Sequence, residues 1–182
     1  MIAVTYVVLC SQRKNNRIAP CLFSALGAYG GVQSYDNRSL TTTVDSPAFH
    51  LITTPDVPQT NNAKGVMVFD DHFKAPKSQG FSTGLFSVIS SENKKAVALL
   101  ADTAATVITC GTSSKDTLSL ASSNDHMATV SLQRDITDIY GNVLEPMDIS
   151  IFLREDFQVY PMLCACATLL LSGLDASNGY SF

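Results

Sequence analysis

Charged side chains are scarce in this sequence of 182 residues. Only 15% of the residues are Asp, Glu, Lys or Arg, whereas about a quarter is usual for a soluble domain. The formal net charge is −4, and the one basic cluster is short, Arg13-Lys14-Asn15-Asn16-Arg17. A groove that follows a nucleic-acid backbone needs many Lys and Arg side chains. The composition therefore argues against a nucleic-acid partner, and we interpret the basic cluster as a solvated loop.

Complete motifs for phosphate or metal binding are also missing. The glycine-rich segment at residues 27–31 reads GxxGG. It lacks the Lys-Ser/Thr ending of a phosphate loop and the full GxGxxG spacing of dinucleotide sites. His50, His72 and His126 are isolated from one another, and none belongs to an HExxH pair. We predict neither a cofactor nor a bound metal.

The cysteines do not form the pattern of a disulfide framework. Five thiols cannot all pair within one chain, and their spacing is unlike that of small secreted domains. Free and mostly buried thiols are the simpler interpretation, and they favour synthesis in a reducing cytoplasm, including that of a host cell. The five are Cys10, Cys21, Cys110, Cys164 and Cys166.

Neither apolar end of the chain is long enough to suggest a membrane segment. Met1 to Cys10 has no preceding basic region and is rich in β-branched residues, which favours a strand over a signal peptide. The apolar stretch from Val159 to Leu174 falls short of the roughly 20 residues of a membrane-spanning helix. We therefore predict no membrane span.

Alternation of apolar and polar residues dominates the second half of the chain. It is clearest at residues 118–136 and again at 149–153, the period expected of strands with one buried face. Tyr140-Gly141-Asn142-Val143 supplies a turn, so a hairpin can join the two runs. Pro161 and Gly173 bracket an apolar block that favours a helix at about 161–173. We predict a mainly β fold, an antiparallel sandwich or barrel with one or two short helices.

The length favours a single domain over residues 1–182. Pro47, Pro55 and Pro58 lie among threonines and asparagines, a composition typical of irregular, extended chain. We predict an extended arm or linker at about 45–64.

Two small groups of residues have side chains suited to chemistry. Asp70-Asp71-His72 could bind a hard metal or transfer protons, although only Asp70 and His72 would converge on a strand. Cys164 and Cys166 lack the second pair that a zinc site needs. Solvated turn residues and core packing, respectively, are the interpretations that we favour.

The surviving features favour a non-enzymatic structural protein. Serine and threonine number 20 and 16, and sparse charge suits packing against neighbours. We predict an assembly component, most concretely a virion protein (capsid, decoration or tail), that contacts itself or other structural proteins and is located in the virion. The candidate interface residues are Val4, Val7, Leu9, Val57, Leu163, Leu169 and Leu171.

Two alternatives stay open at this point. One is a carbohydrate- or receptor-binding β-domain, with loops near Gly30 to Tyr35 and Tyr140 to Asn142 at its site, which exposed aromatic residues would support. The other is a cysteine hydrolase that uses Cys110 with His72 or His126, which would require these groups to meet.

Overall fold

The computed structural model describes residues 4–60, 64–74, 84–101, 103, 105–154 and 158–182. In this part of the chain the helices are α1 (Ile18–Ala28), α2 (Lys94–Ala101) and α3 (Val159–Leu171). The strands are β1 (Thr5–Cys10), β2 (Val32–Tyr35), β3 (Leu40–Thr42), β4 (Phe49–Thr54), β5 (Gly65–Phe69), β6 (Phe86–Ser90), β7 (Val107–Gly111), β8 (Leu118–Ser123), β9 (Met127–Leu132), β10 (Ile136–Thr137), β11 (Val143–Leu144), β12 (Met147–Phe152) and β13 (Tyr180–Ser181).

One large sheet runs through the molecule, in the order β13-β12-β9-β8-β7-β6-β5-β1-β4-β2-β3. Its middle section, from β2 through β4, β1, β5, β6 and β7 to β8, is parallel throughout. Strands β3 and β9 add antiparallel pairs at either end, β12 continues beside β9, and β13 lies parallel to β12. The sheet is mixed and mostly parallel, so the predicted antiparallel sandwich or barrel is wrong.

The parallel strands read as continuous apolar runs because both of their faces are covered. Val7 and Leu9 of β1 pack in a core with α1 and α3. Val8 and Cys10 face the other way, into a smaller core that includes Ala96 of α2. Helices therefore lie on both faces of the sheet, the arrangement of an open, doubly wound α/β fold.

Helix α3 is the most deeply buried of the described helices. All residues from Pro161 to Leu171 are buried, which explains why the segment is apolar all round instead of amphipathic. Pro161 lies in its first turn, and Gly173 follows its end with a φ of 77°, the usual positions of these residues around a helix. The helix predicted at about 161–173 is present.

The antiparallel section agrees with the alternating pattern. Strand β9 pairs with both β8 and β12, and Val130 lies opposite Ile149. The small pair β10–β11 flanks the turn that contains Gly141. The strands expected between 118 and 153 are therefore present. Strands β8, β9 and β12 form one end of the larger, mostly parallel sheet, and β10 and β11 form a separate two-stranded sheet.

Part of the region predicted as an arm is an interior strand of the sheet. Residues 49–54 form β4, which pairs with β1 on one side and β2 on the other. Residues 61–63 of that region, like residues 1–3 of the first predicted strand, fall outside the described part of the chain. Among the described helices, none is long and apolar enough to cross a bilayer.

Candidate functional site

The chain reverses its direction of travel across the sheet at β1. From β1 it passes through α1 to β2, with β4 later inserted between β2 and β1, and it then crosses to β5 on the opposite side. In open α/β sheets, ligands bind beyond the carboxyl ends of the strands at such a reversal. The chain that follows Cys10, Thr54 and Phe69, the last residues of β1, β4 and β5, lies at this position.

A basic loop, residues 11–17, occupies this position. It connects β1 to α1 and contains Arg13, Lys14 and Arg17. The Asn16 side chain accepts a hydrogen bond from the Ala19 backbone at 2.8 Å, which satisfies one of the free N–H groups at the start of α1. The β1–loop–α1 connection therefore places three cationic side chains at the edge where a ligand is expected.

Asp70, directly after β5, anchors the basic loop. Its side chain is only 1% exposed. It accepts hydrogen bonds from Ser11 Oγ at 2.6 Å and from Arg13 Nη2 at 2.7 Å and Nε at 3.3 Å. The His72 backbone donates a further bond at 3.0 Å. The carboxylate thereby ties the end of β5 to the loop after β1.

These contacts change the acidity of the neighbouring carboxyl groups. Burial alone would raise the pKa of Asp70, but the interactions with Arg13, Asp71, Ser11 and the His72 backbone outweigh it and lower the pKa to about 2. Burial and the adjacent Asp70 raise the pKa of Asp71. Asp70 is therefore a permanent anion at neutral pH, and it holds the Arg13 guanidinium in place.

Two pockets lie on either side of Arg13. The first, the Asp71 pocket, has a volume of about 440 Å³, and its lining includes Arg13, Arg17, Asp71, His72 and Tyr160. The second, the Lys14 pocket, has a volume of about 500 Å³, and its lining includes Arg13, Lys14, Asp36, Asn37, Arg38, Thr53 and Thr54. Both volumes fall in the range of small-molecule sites.

The Lys14 pocket is the more basic of the two. Arg13, Lys14 and Arg38 face a single carboxylate, that of Asp36. Asp36 accepts bonds from the Ser39 hydroxyl at 2.9 Å and backbone at 3.0 Å, and these bonds lower its pKa. Lys14 forms no ion pair with any residue that the structure describes. Its charge is therefore available to a ligand.

The predicted Asp70-Asp71-His72 group is only partly a solvated turn. The His72 side chain is 68% exposed, and its Nε2 lies 3.7 Å from Asp71 Oδ2. Asp70, by contrast, is buried and ion-paired, so the solvated interpretation is wrong for this residue. In the described ranges no group of three or more His, Cys, Asp or Glu side chains could hold a metal ion.

The five thiols are free and buried, as predicted from their number and spacing. Cys110 lies in β7 with no exposed surface, and burial raises the pKa of its thiol well above the ordinary value. A nucleophilic cysteine needs an accessible thiolate. This position gives the hydrolase hypothesis no support. Cys164 and Cys166 pack within α3 in the same core.

One serine motif falls largely outside the described residues. Gly80-Phe81-Ser82-Thr83-Gly84 fits the spacing of a GxSxG nucleophile elbow. Of these five residues the structure describes only Gly84, so we assign no role to the motif.

Six of the seven candidate interface residues belong to the interior of this chain. Packing in the two hydrophobic cores explains why these six residues are apolar, and we assign them no interface role. Val4 alone is partly exposed. The buried six are Val7, Leu9, Val57, Leu163, Leu169 and Leu171.

The basic loop was recognised in the sequence but interpreted as a solvated turn. The missing information was that Ile18 to Ala28 is a helix, because a strand–loop–helix unit would have placed Arg13 and Lys14 at a carboxyl edge. Arg38 comes from a separate turn, between β2 and β3. No local sequence signal connects it with Lys14.

Comparisons with known proteins agree with the fold and add little beyond it. No family model matches the chain, and no curated protein matches its sequence. A solved structure, that of UDP-N-acetylmuramoyl-L-alanyl-D-glutamate--2, 6-diaminopimelate ligase, has a TM-score of 0.56 and 8% sequence identity. The match covers 96% of this chain and 44% of the ligase chain.

The chain therefore has a mostly parallel α/β fold similar to part of that ligase, and it spans less than half of the ligase's length. At this identity the likeness shows the fold alone. The fold is one that an enzyme uses, whereas the prediction that this chain is not an enzyme stays a prediction.

Proposed function

We propose that this protein binds a phosphate-bearing small molecule in the Lys14 pocket. The observation that carries the proposal is the meeting of Arg13, Lys14 and Arg38 at the strand reversal around β1. Phosphate oxygens accept strong charge-assisted hydrogen bonds from guanidinium and ammonium groups. The pocket thus combines the position and the charge that such a ligand requires.

The Asp70 anchor supports this function because it limits the motion of Arg13. A long side chain that is already held loses less rotamer entropy when a ligand binds. Asp70 and Asp71 also reduce the effective charge of Arg13, which lies within reach of both. We therefore assign Arg13 to the wall of the site, and Lys14 and Arg38 to direct contact with the anion.

A titration with inorganic phosphate, followed by NMR, tests the proposal. We expect saturable shifts in the basic loop, and about tenfold weaker binding in each of Lys14→Ala and Arg38→Ala, because each loses a charge-assisted bond. Lys64→Ala is the matched control, since Lys64 precedes β5 at the opposite edge of the sheet. Binding that is absent in the wild type, or equal in all variants, would contradict the proposal.

Assembly with copies of itself is a second proposal, supported by the edge strand β3. Leu40, 67% exposed, lies opposite the exposed Tyr35. An edge strand with exposed apolar side chains is a template for pairing with another chain. The location of this protein in a virion stays a prediction from composition.

Light scattering at several protein concentrations tests the assembly proposal. We expect a mass above that of the monomer in the wild type and a return to the monomer in Leu40→Lys. A wild type that is monomeric at every concentration would contradict self-assembly.

A further inference from the structure

Among the described residues, one face of the sheet is left partly open over β4, β2 and the beginning of β1, although Val8 and Cys10 further along β1 are buried on that face. Helices α1 and α3 pack on the other face, and α2 covers the open side only towards β6. In the open part, Tyr6 is 40% and Tyr35 is 46% exposed, with Ile52 half-buried between them. Parallel strands are normally covered on both faces. Two aromatic rings thus face solvent where a helix would be expected.

A groove of about 320 Å³ runs between these rings. Tyr6, Val8, Tyr35 and Ile52 form its apolar walls, and among its described lining residues there is no charged side chain. His50 packs edge-on against Tyr6, with ring centroids 5.6 Å apart, which fixes the Tyr6 ring. The described lining of the groove therefore suits an uncharged, ring-shaped group.

The groove and the Lys14 pocket meet at the carboxyl end of β4, where they share lining residues. Asn37, Thr53 and Thr54 line both. Thr53 and Thr54 are the last residues of β4, and successive strand residues point to opposite faces. The end of β4 is therefore a polar rim, with the basic pocket on one side and the tyrosine groove on the other.

We infer that the ligand carries an uncharged ring joined to its anionic group, and that the ring lies against Tyr6 and Tyr35 while the anion contacts Lys14 and Arg38. This inference rests on the proposed function. Phosphorylated sugars and nucleotides share this chemistry, because each joins a phosphate to a neutral ring with hydrogen-bonding groups. The rim amide of Asn37 and the threonine hydroxyls are placed to meet the polar groups between the two parts.

Parallel titrations with inorganic phosphate, glucose 1-phosphate and AMP test the inference. We expect at least one ring-bearing probe to bind about tenfold more tightly than inorganic phosphate, because its ring can stack on an aromatic side chain. Tyr35→Ala should lose that gain and leave the affinity for inorganic phosphate unchanged. The probe that gains more distinguishes a nucleotide from a sugar phosphate.

Matched variants separate the ring contact from damage to the fold. Tyr35→Phe keeps the ring and should retain most of the gain. Tyr140→Ala removes a tyrosine of similar exposure that lies outside the groove and should change nothing. If all three probes bind equally and Tyr35→Ala has no effect, the inference is overturned while the proposed function stands. If no probe binds, both are overturned.

Discussion

Arg13 and Asp70 form a two-point ion pair between the loop after β1 and the end of β5. Arg13 Nη2 lies 2.7 Å from Asp70 Oδ1, and Nε lies 3.3 Å from Oδ2. The two strands are neighbours in the sheet, although the residues are far apart in sequence. The same ion pair therefore stabilises the contact between β1 and β5 and holds the loop that forms the proposed site.

We expect Asp70→Asn to destabilise the protein by about 2 kcal/mol at neutral pH, the cost that corresponds to the lowered pKa of this buried carboxyl. Asparagine keeps the volume but loses the charge that holds Arg13. Urea unfolding measures the change. Asp45→Asn, at an exposed position, is the matched control and should lie within about 0.5 kcal/mol of the wild type. A similar loss in both variants would show that the ion pair contributes little.

The same carboxyl predicts how stability changes with pH. The folded pKa of Asp70 is about 2, below the ordinary value of 3.8. Its contribution is therefore complete above about pH 4 and is lost as the pH falls through 2. Asp71→Asn is the best background because it removes the neighbouring carboxyl, which would itself take up a proton as the pH falls.

In that background, the free energy of unfolding should fall between pH 4 and pH 2. The additional Asp70→Asn substitution should remove most of this dependence. An unchanged slope would assign the acid transition to other groups.

The parts of the fold that the sequence predicts are those that depend on residues close together in the chain. The alternation at 118–136 identified β8 and β9 because one face of an antiparallel pair meets solvent, so the pattern is local. The central strands carry no such alternation, and pairing of β1 with β4 and β5 depends on residues distant in sequence. Extending the local pattern to the whole chain produced the wrong fold class.

The candidate site shows the same limit. Arg13 and Lys14 were visible as a short basic cluster, but the burial of Asp70 results from β1–β5 pairing. Arg38 reaches the Lys14 pocket only because β2 lies two strands from β1. Neither the burial of Asp70 nor the position of Arg38 in the lining of the Lys14 pocket can be predicted from composition.

Asn93 stabilises the turn between β6 and α2 with both polar atoms of its side-chain amide. Its Oδ1 accepts a bond from the Ala96 backbone at 3.1 Å, and its Nδ2 donates to the carbonyls of Asp70 and Phe73, each at 3.2 Å. We expect Asn93→Ala to cost about 2 kcal/mol, the sum of a lost helix cap and of lost hydrogen bonds to two backbone carbonyls.

Asn93→Asp separates the two contributions. Aspartate keeps the cap acceptor but cannot donate to the carbonyls at neutral pH, so we expect it to be destabilised as well. Thermal unfolding of both variants measures the effect. Wild-type stability in Asn93→Asp would mean that the bonds to Asp70 and Phe73 contribute nothing.

Ser87 provides a prediction of the opposite sign. It lies in β6, fully buried, and its hydroxyl bonds to no partner within the described part of the chain. A buried hydroxyl without a partner costs free energy, whereas the methyl group of alanine does not. We expect Ser87→Ala to raise the free energy of unfolding by about 1 kcal/mol, measured by urea denaturation. Ser119, also buried, accepts a bond from Gln133 Nε2 at 2.8 Å, so Ser119→Ala is the control and should destabilise the protein. If Ser87→Ala is instead destabilised to the same extent as Ser119→Ala, the Ser87 hydroxyl has a hydrogen-bond partner, and that bond stabilises β6.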